Sequence, residues 1–200
     1  MEIVHAMRSM PSVEKSREFE FRIGTVGHTG FNTNITKATF DLAMKRMLKF
    51  KGWETVTQTA MDCYRTDNMR MEEDDEGNRT CTRKERLVLK DFSVPGLSWG
   101  VRMACSDELP TNPVHWKETY TKNRTSFLRK NVRIDFTVIT HDDIDDEDPV
   151  KRQIEVEFIP GDELENIRIV WKVFDILRIL EDPFPPHEAE TQWFEACLGR

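Results

Sequence analysis

The chain has 200 residues, of which 38% are hydrophobic and 32% are charged. This composition is typical of a folded globular domain and excludes an intrinsically disordered chain, and no apolar run is long enough to cross a membrane. We therefore expect a single domain over residues 1–200 of an intracellular protein, with its four cysteines reduced because they show no CxxC or zinc-like spacing.

The net charge of −7 comes largely from two acidic clusters at residues 72–76 and 142–148. The remainder of the chain is mildly basic, so the overall charge does not exclude a polyanionic partner. Each cluster is followed by Gly77 or Pro149, and neither has the spacing of an EF-hand loop. Both clusters are predicted to be solvated turns, whose replacement would leave catalysis nearly unchanged.

The first predicted element is a strand at residues 18–24, "EFEFRIG", in which charged and apolar residues alternate. A helix should follow, because Thr36 is a suitable N-cap and apolar residues recur at helical spacing from Phe40 to Leu48, before Gly52. Strand-like patterns at 61–66, 79–92, 97–106, 116–127, 131–139 and 154–158 come next.

A second helix is predicted at residues 162–180. It would begin with a capping box formed by Asp162 and Glu165 and would stop before Pro183. Trp193 and Phe194 should then hold the C-terminal tail against the body of the protein.

Residues two apart on a strand share a face, so the sequence predicts which charges lie together. Five or six strands have one apolar and one ionic face. The acids lie on the first and last strands and the bases on those between them. The ionic faces carry Glu18, Glu20 and Arg22; Lys84 and Arg86; Arg102 with Glu108; Lys122 and Arg124; Arg133 and Asp135; and Gln153, Glu155 and Glu157.

Rows of like charge are unfavourable on a simple solvated sheet face, where mixed signs are the rule. Carboxylate rows become tolerable around a divalent cation, and Lys and Arg rows become tolerable around a polyanion. A barrel with its ionic face inward and helices on its apolar outer face satisfies both conditions. The predicted ligand is a polyphosphate together with a metal ion.

The ordered segments "EFEFRIG", "KNRTSF", "RIDFTVI" and "IEVEF" resemble the metal-dependent RNA 5′-triphosphatases of fungal, protozoan and large-DNA-virus capping systems, members of the triphosphate tunnel metalloenzyme superfamily. The resemblance implies an α+β protein built on an eight-stranded antiparallel β-barrel, the triphosphate tunnel, with helices packed on its outer surface. It also implies Mg²⁺ or Mn²⁺ as cofactor and the 5′-triphosphate end of RNA as substrate.

The resemblance assigns a role to each matching position. It makes Glu18, Glu20 and Glu157 the metal ligands, and Asp135 and Glu155 the holders of metal-bound water. Arg70, Lys84, Lys122 and Arg124 would bind the phosphates, and Glu108 would orient the attacking water. Arg22, Arg86, Arg102 and Arg133 would form the tunnel wall.

Two positions depart from the pattern of that family. Gln153 stands where a third glutamate is often found on the last strand, which counts against a two-metal scheme. Arg22 replaces the lysine common in the wider superfamily, which favours the capping branch.

We therefore predict a polynucleotide 5′-triphosphatase that removes the γ-phosphate of nascent RNA by in-line attack of water. A separate guanylyltransferase, or one on a removed domain, is expected because the chain has no KxDG motif. Alternatives are a tunnel hydrolase of tripolyphosphate or nucleoside triphosphates, and a non-catalytic barrel that binds RNA ends or a protein. The enzyme would work in a nucleus, or in a viral factory or virion. The five histidines show no metal spacing and are expected to have surface or packing roles.

Overall fold

The computed structural model describes residues 17–93, 97–112, 115–142, 149–159 and 166–180. Nine strands and two helices follow one another along the chain, and none of the helices in these ranges is long and apolar enough to cross a membrane. The elements are β1 Arg17–Gly27, β2 Gly30–Asn32, α1 Lys37–Lys49, β3 Thr55–Thr66, β4 Met69–Asp74, β5 Arg79–Ser93, β6 Gly100–Pro110, β7 Glu118–Arg129, β8 Val132–His141, β9 Val150–Phe158 and α2 Asn166–Leu180.

The strands form a closed antiparallel barrel, as predicted. Eight of them follow one another in the order β1-β6-β5-β4-β3-β7-β8-β9, and pairing of β1 with β9 closes the ring. Within the described part of the chain, the ninth strand, β2, pairs only with the end of β1, where Gly27 lies opposite Gly30. Gly30 has a φ of 112°, a conformation that favours glycine, which explains its place in this hairpin.

The hydrophobic core lies outside the barrel rather than within it. On β1, Phe19, Phe21 and Ile23 are buried under the helices, while Glu18 and Glu20 point into the barrel. The outward apolar residues of β6, β8 and β9 join the same core, together with Phe40, Ala43 and Met47 of α1 and Val173, Ile176, Leu177 and Leu180 of α2. Alternation along β1, β6, β8 and β9 therefore separates an apolar outer layer from an ionic interior.

The helices cover only one side of the barrel. Phe40 of α1 packs on Phe136 of β8 with ring centroids 5.3 Å apart, and Trp53 packs on Phe127 of β7 at 5.4 Å. We call β1, β6, β7, β8 and β9 the floor, because their outward residues form most of the strand contribution to the core. We call β3, β4 and β5 the roof, from which Phe92 at the end of β5 joins the core and Val88 packs against it. Most roof residues are at least partly exposed on both faces.

Helix α1 begins where the sequence predicts, since the Thr36 hydroxyl caps it by accepting a hydrogen bond from the Thr39 amide at 3.4 Å. We expect Thr36→Ala to lower the free energy of unfolding by about 0.5–1 kcal/mol, the range for loss of an exposed cap. Urea denaturation measures this change. Thr36→Ser keeps the hydroxyl and should be nearly neutral, whereas an equal loss in both variants would contradict the capping role.

The structure corrects the sequence prediction at one acidic cluster. Residues 72–76 were predicted to form a solvated turn, but Glu72, Glu73 and Asp74 belong to β4, and only the remainder forms the turn to β5. Strand β4 is short and rich in charge, so its sequence lacks the apolar alternation that marks the other strands. Of the other cluster, residues 143–148 lie outside the described ranges, as do Asp162, Glu165, Pro183, Trp193 and Phe194.

Candidate active site

A cavity of about 1620 Å³ runs through the barrel, and we call it the tunnel. Most of the residues predicted to form the site line it: Glu18, Glu20, Arg22, Arg70, Lys84, Arg86, Glu108, Lys122, Arg124, Arg133, Glu155 and Glu157. They come from seven different strands, and the two-residue period of each strand turns them inward. The barrel thus gathers charges that are up to 139 residues apart in the chain.

Two of the predicted residues lie elsewhere. Asp135 is 1% exposed and lies beneath the tunnel surface, where it pairs with Nη1 of Arg124 at 3.3 Å and Nε of Arg133 at 3.1 Å. Arg102 also does not line the tunnel. It forms a bidentate pair with Asp91, at 2.7 and 2.9 Å, and its guanidinium lies 4.7 Å from the centre of the Phe31 ring. Arg102 therefore contacts neighbouring residues of the barrel rather than the space where a ligand would bind.

The carboxylates converge on the floor of the tunnel. Glu20 of β1 lies directly opposite Glu157 of β9, and Glu155 lies opposite Arg22. Each carboxylate is paired with a cation: Glu18 with Lys84, Glu157 with Arg133, and Glu155 with Nε of Arg22 at 2.7 Å. The floor is therefore a compact array of acids balanced by bases within the same barrel.

Burial changes the ionisation of these acids in different directions. Burial, helped by the neighbouring Glu155 and Glu18, raises the pKa of Glu20. Burial also raises the pKa of Glu157 to about 7, although Arg133 opposes the change. For Glu155 burial also opposes ionisation, but the neighbouring cations, Arg22 first among them, together outweigh it and lower the pKa to about 2. Glu157 thus holds its proton up to near neutral pH and would release the proton when a cation binds.

The donor set fits a hard divalent cation. In the described ranges no three acidic, histidine or cysteine side chains form a ready metal centre, because the carboxylates are turned towards their basic partners. The chemistry is nevertheless suitable, since Glu18, Glu20 and Glu157 offer only oxygen, the preferred ligand of Mg²⁺ and Mn²⁺. In addition, Oδ1 of Asp135 is buried without a hydrogen-bond partner.

The basic residues face these acids from the roof and from β7. Lys122 is 7% exposed and lies two residues from Arg124 on the inward face of β7, whereas Asn123 between them is exposed on the outer face. Arg70 of β4 and Lys84 of β5 reach the same space. Glu108 lies between these last two, with its Oε1 3.5 Å from Nη2 of Arg70 and 3.7 Å from Nζ of Lys84.

Glu72 is a tunnel residue that the sequence analysis missed. Its Oε1 lies 3.0 Å from Nζ of Lys122 and 3.4 Å from Nε of Arg70, so it contacts two of the predicted phosphate-binding cations. Burial opposes ionisation of Glu72, but Lys122 and Arg70 outweigh it and lower the pKa of the carboxyl. Glu72 lies two residues from Arg70, and residues two apart on a strand share a face, so this spacing could have predicted that Glu72 enters the tunnel.

We expect Glu72→Gln to lower kcat/KM about tenfold on the substrate assigned below, because the ion pairs that orient Lys122 and Arg70 are lost. Glu73→Gln is the matched control, because Glu73 points out of the tunnel and pairs with the exposed Arg79 at 2.9 Å. The kcat/KM of this variant should be within twofold of the wild-type value. Steady-state kinetics of both variants tests this, and equal activities would show that Glu72 does not orient the cations.

Gln153 also has a contact that explains an amide at this position. Its Nε2 donates a hydrogen bond to Oγ1 of Thr33 at 3.0 Å, and next to it the side chain of Asn34 accepts one from the amide of Arg152 at 2.9 Å. A glutamate at position 153 could not donate to Thr33 when ionised. Gln153 thus ties the segment before α1 to the wall of the tunnel.

Comparison with known proteins decides the family. The model of the mRNA capping enzyme beta chain family, the mRNA triphosphatases, matches residues 10–172. The chain belongs to this family. It is therefore an RNA triphosphatase of mRNA capping, a hydrolase, and the family points to the use of a divalent metal. A search of curated protein sequences gave no match.

Solved structures agree with this triphosphatase fold. The RNA triphosphatase Pct1 of S. pombe is 18% identical, with a TM-score of 0.71 over 88% of each chain. A second structure of Pct1, in complex with the Spt5 CTD, is 17% identical with a TM-score of 0.68, over 88% of this chain and 89% of that chain. The RNA triphosphatase domain of a mimivirus capping enzyme is 15% identical, with a TM-score of 0.63 over 90% of this chain and 95% of that chain.

Proposed function

We propose that this triphosphatase hydrolyses the bond between the β- and γ-phosphates of an RNA 5′-triphosphate end and leaves a diphosphate end. The observation that carries the proposal is the arrangement of charge inside one tunnel. Carboxylates of β1 and β9 face lysine and arginine residues of β4, β5 and β7 across the same space. A polyphosphate with a divalent cation has the charge pattern that matches both sides.

Each group of residues has a part in this reaction. Glu18, Glu20 and Glu157 would hold Mg²⁺ or Mn²⁺, which supplies positive charge to the γ-phosphoryl oxygens, while Asp135 and Glu155 would hold its water ligands. Lys122, Arg124, Arg70 and Lys84 bind the phosphates and neutralise the charge that shifts between oxygens during transfer. We propose one metal ion rather than two, because position 153 carries an amide instead of a third carboxylate, and this amide donates a hydrogen bond to Thr33.

Glu108 is proposed to orient the attacking water. It lines the tunnel and lies within 3.7 Å of both Arg70 and Lys84, so its carboxylate would be next to a phosphate that those cations bind. A carboxylate in that place accepts a hydrogen bond from water and aligns it for in-line attack. Arg22, Arg86 and Arg133 would keep the acids and the tunnel wall in position.

The proposal extends to the cellular setting. We propose a single domain over residues 1–200 that works inside the cell, in the nucleus of a cellular organism or in the factory or virion of a virus. A guanylyltransferase, on a separate polypeptide or in another domain, would act on the diphosphate end, because residues 1–200 contain no KxDG motif.

Phosphate release tests the proposal directly. RNA with a 5′-triphosphate end is compared with ATP and with inorganic tripolyphosphate, each with Mg²⁺, with Mn²⁺ and with excess chelator. We expect metal-dependent release of one orthophosphate per RNA end. Release of pyrophosphate, or full activity in chelator, would overturn the mechanism. A strong preference for tripolyphosphate or ATP would instead favour a small-molecule hydrolase.

A further inference from the structure

Two rings lie at one end of the tunnel, beyond the residues assigned so far. Tyr120 of β7 lies directly opposite His141 of β8, and their ring centroids are 5.5 Å apart with an interplanar angle of 39°. Both side chains line the tunnel and both are partly exposed to it. Aromatic faces of this kind are stacking surfaces for nucleic-acid bases.

The strand register places the rings next to the phosphate-binding residues. Tyr120 and Lys122 are two residues apart on the inward face of β7, a separation of roughly 7 Å along the strand. A triphosphate bound by Lys122 and Arg124 therefore ends about one nucleoside away from the tyrosine ring. Burial raises the pKa of Tyr120 to about 12, so its ring is neutral at physiological pH.

The same register shows that these rings lie far from the carboxylates. Along β8 the inward residues run from Arg133, which pairs with Glu157, to His141, a separation of roughly 27 Å. The tunnel is therefore longer than a triphosphate alone. Lys151 and Lys117 also line the tunnel at the end marked by His141.

Charge favours this end for the RNA chain. Around the rings, Asp67 is paired with Lys117 at 2.8 Å and Glu118 with Arg65 at 3.1 Å, which balances these two acids, while Asp142 beside His141 is exposed. At the opposite end lie the four carboxylates Glu18, Glu20, Glu155 and Glu157, which make that end less favourable for the phosphates of an RNA backbone although Lys84, Arg22 and Arg133 pair with them. With the γ-phosphate near the carboxylates and a metal ion, the nucleoside falls at the rings, where Lys117 and Lys151 also line the tunnel.

We propose that Tyr120 and His141 form a stacking site for the first base of the RNA, and this inference rests on the proposed function. The site explains how a tunnel full of phosphate-binding charge would prefer an RNA end to inorganic tripolyphosphate. Stacking depends little on base identity, so the site would accept any first base and would discriminate only against a substrate that lacks this base. A purely structural ring pair would instead affect folding and all substrates alike.

The test compares two triphosphorylated RNA oligonucleotides, one ordinary and one abasic at its first nucleotide. The wild type should hydrolyse the ordinary RNA about tenfold better in kcat/KM, a stacking contribution within the known range. Tyr120→Leu and His141→Leu should each lose most of that preference, because kcat/KM should fall for the ordinary RNA and stay unchanged for the abasic RNA. Tyr120→Phe keeps the ring and should keep the preference.

Tyr64→Leu is the matched control, because Tyr64 is the only other tyrosine and lies on the neighbouring strand without lining the tunnel. It should retain the wild-type preference. Equal hydrolysis of both RNAs by the wild type, or an equal loss on both in the Tyr120→Leu and His141→Leu variants, would overturn the stacking site. Failure of the wild type to release phosphate from either RNA would overturn the proposed function instead.

Discussion

Truncation of Lys122 or Arg124 to alanine should lower kcat by about 10²- to 10³-fold, equivalent to roughly 3–4 kcal/mol of transition-state stabilisation. Both side chains lie on the inward face of β7 and both line the tunnel. Lys122 is 7% exposed, so its ammonium acts in a medium where charge is weakly screened. The loss should appear in kcat more than in KM, because charge on the phosphoryl oxygens rearranges most in the transition state.

Arg124→Lys should recover only part of the activity lost in Arg124→Ala. An ammonium cannot reproduce the two parallel hydrogen bonds that a guanidinium makes to phosphate oxygens. It would also alter the contact between Arg124 and the buried Asp135 at 3.3 Å. Single-turnover kinetics on triphosphorylated RNA separates this chemical defect from weaker binding.

The strand itself supplies the controls. Asn123 and Thr125 alternate with the two cations and face away from the tunnel, so their alanine variants should be nearly silent in catalysis. Circular dichroism of each variant would establish that it is folded. Active Lys122→Ala and Arg124→Ala proteins, together with crippled Asn123→Ala and Thr125→Ala proteins, would show that β7 does not present these cations to the substrate.

Replacing Glu20 with glutamine should lower kcat/KM about a thousandfold, or roughly 4 kcal/mol. Glu20 is 4% exposed at the centre of the carboxylate array and lies opposite Glu157. An amide keeps the size of the side chain but removes the negative charge that a divalent cation requires. Calorimetric titration with Mn²⁺ should show weaker binding, whereas Glu54→Gln, at an exposed position before β3, should change neither property.

The same titration should depend on pH in a defined direction. The pKa of Glu157 is raised to about 7, so this carboxyl is protonated below neutrality and must lose its proton to bind a cation. Mn²⁺ affinity of the wild type should therefore fall as the pH is lowered from 8 towards 6, with proton release on binding at the lower pH. If Glu20→Gln bound Mn²⁺ as tightly as the wild type, Glu20 would not be a metal ligand.

Alternation along single strands was enough to predict much of the site. Glu18 and Glu20, Lys122 and Arg124, and Glu155 and Glu157 all point into the tunnel as their spacing indicates, because nothing interrupts β1, β7 or β9. The roles of these residues in metal and phosphate binding stay predictions. The closed eight-stranded barrel with outer helices, implied by the resemblance to the capping triphosphatases, is confirmed by the structure.

Alternation fails where a strand is irregular or highly charged. The register of β5 against β6 shifts between Arg86 and Val88, so the inward face passes from even to odd residues, and Asp91 reaches Arg102. The sequence gives no sign of this bulge, and the contact of Arg102 could not be foreseen. Glu72 was missed for another reason, since a strand of mostly charged and methionine residues lacks the usual apolar pattern.

The difference between floor and roof has a consequence for local stability. Floor strands such as β1 and β9 have a neighbour on each side and a layer of helices beneath them, so their amides should open only when the whole protein unfolds. In the roof, residues 55–60 of β3 pair only with β7 in the described ranges, and their side chains are exposed. These residues should open at a much lower free energy. The tunnel acids of β1 and β9 therefore belong to the slow-exchanging part of the protein, and this part of the roof belongs to its fast-exchanging part.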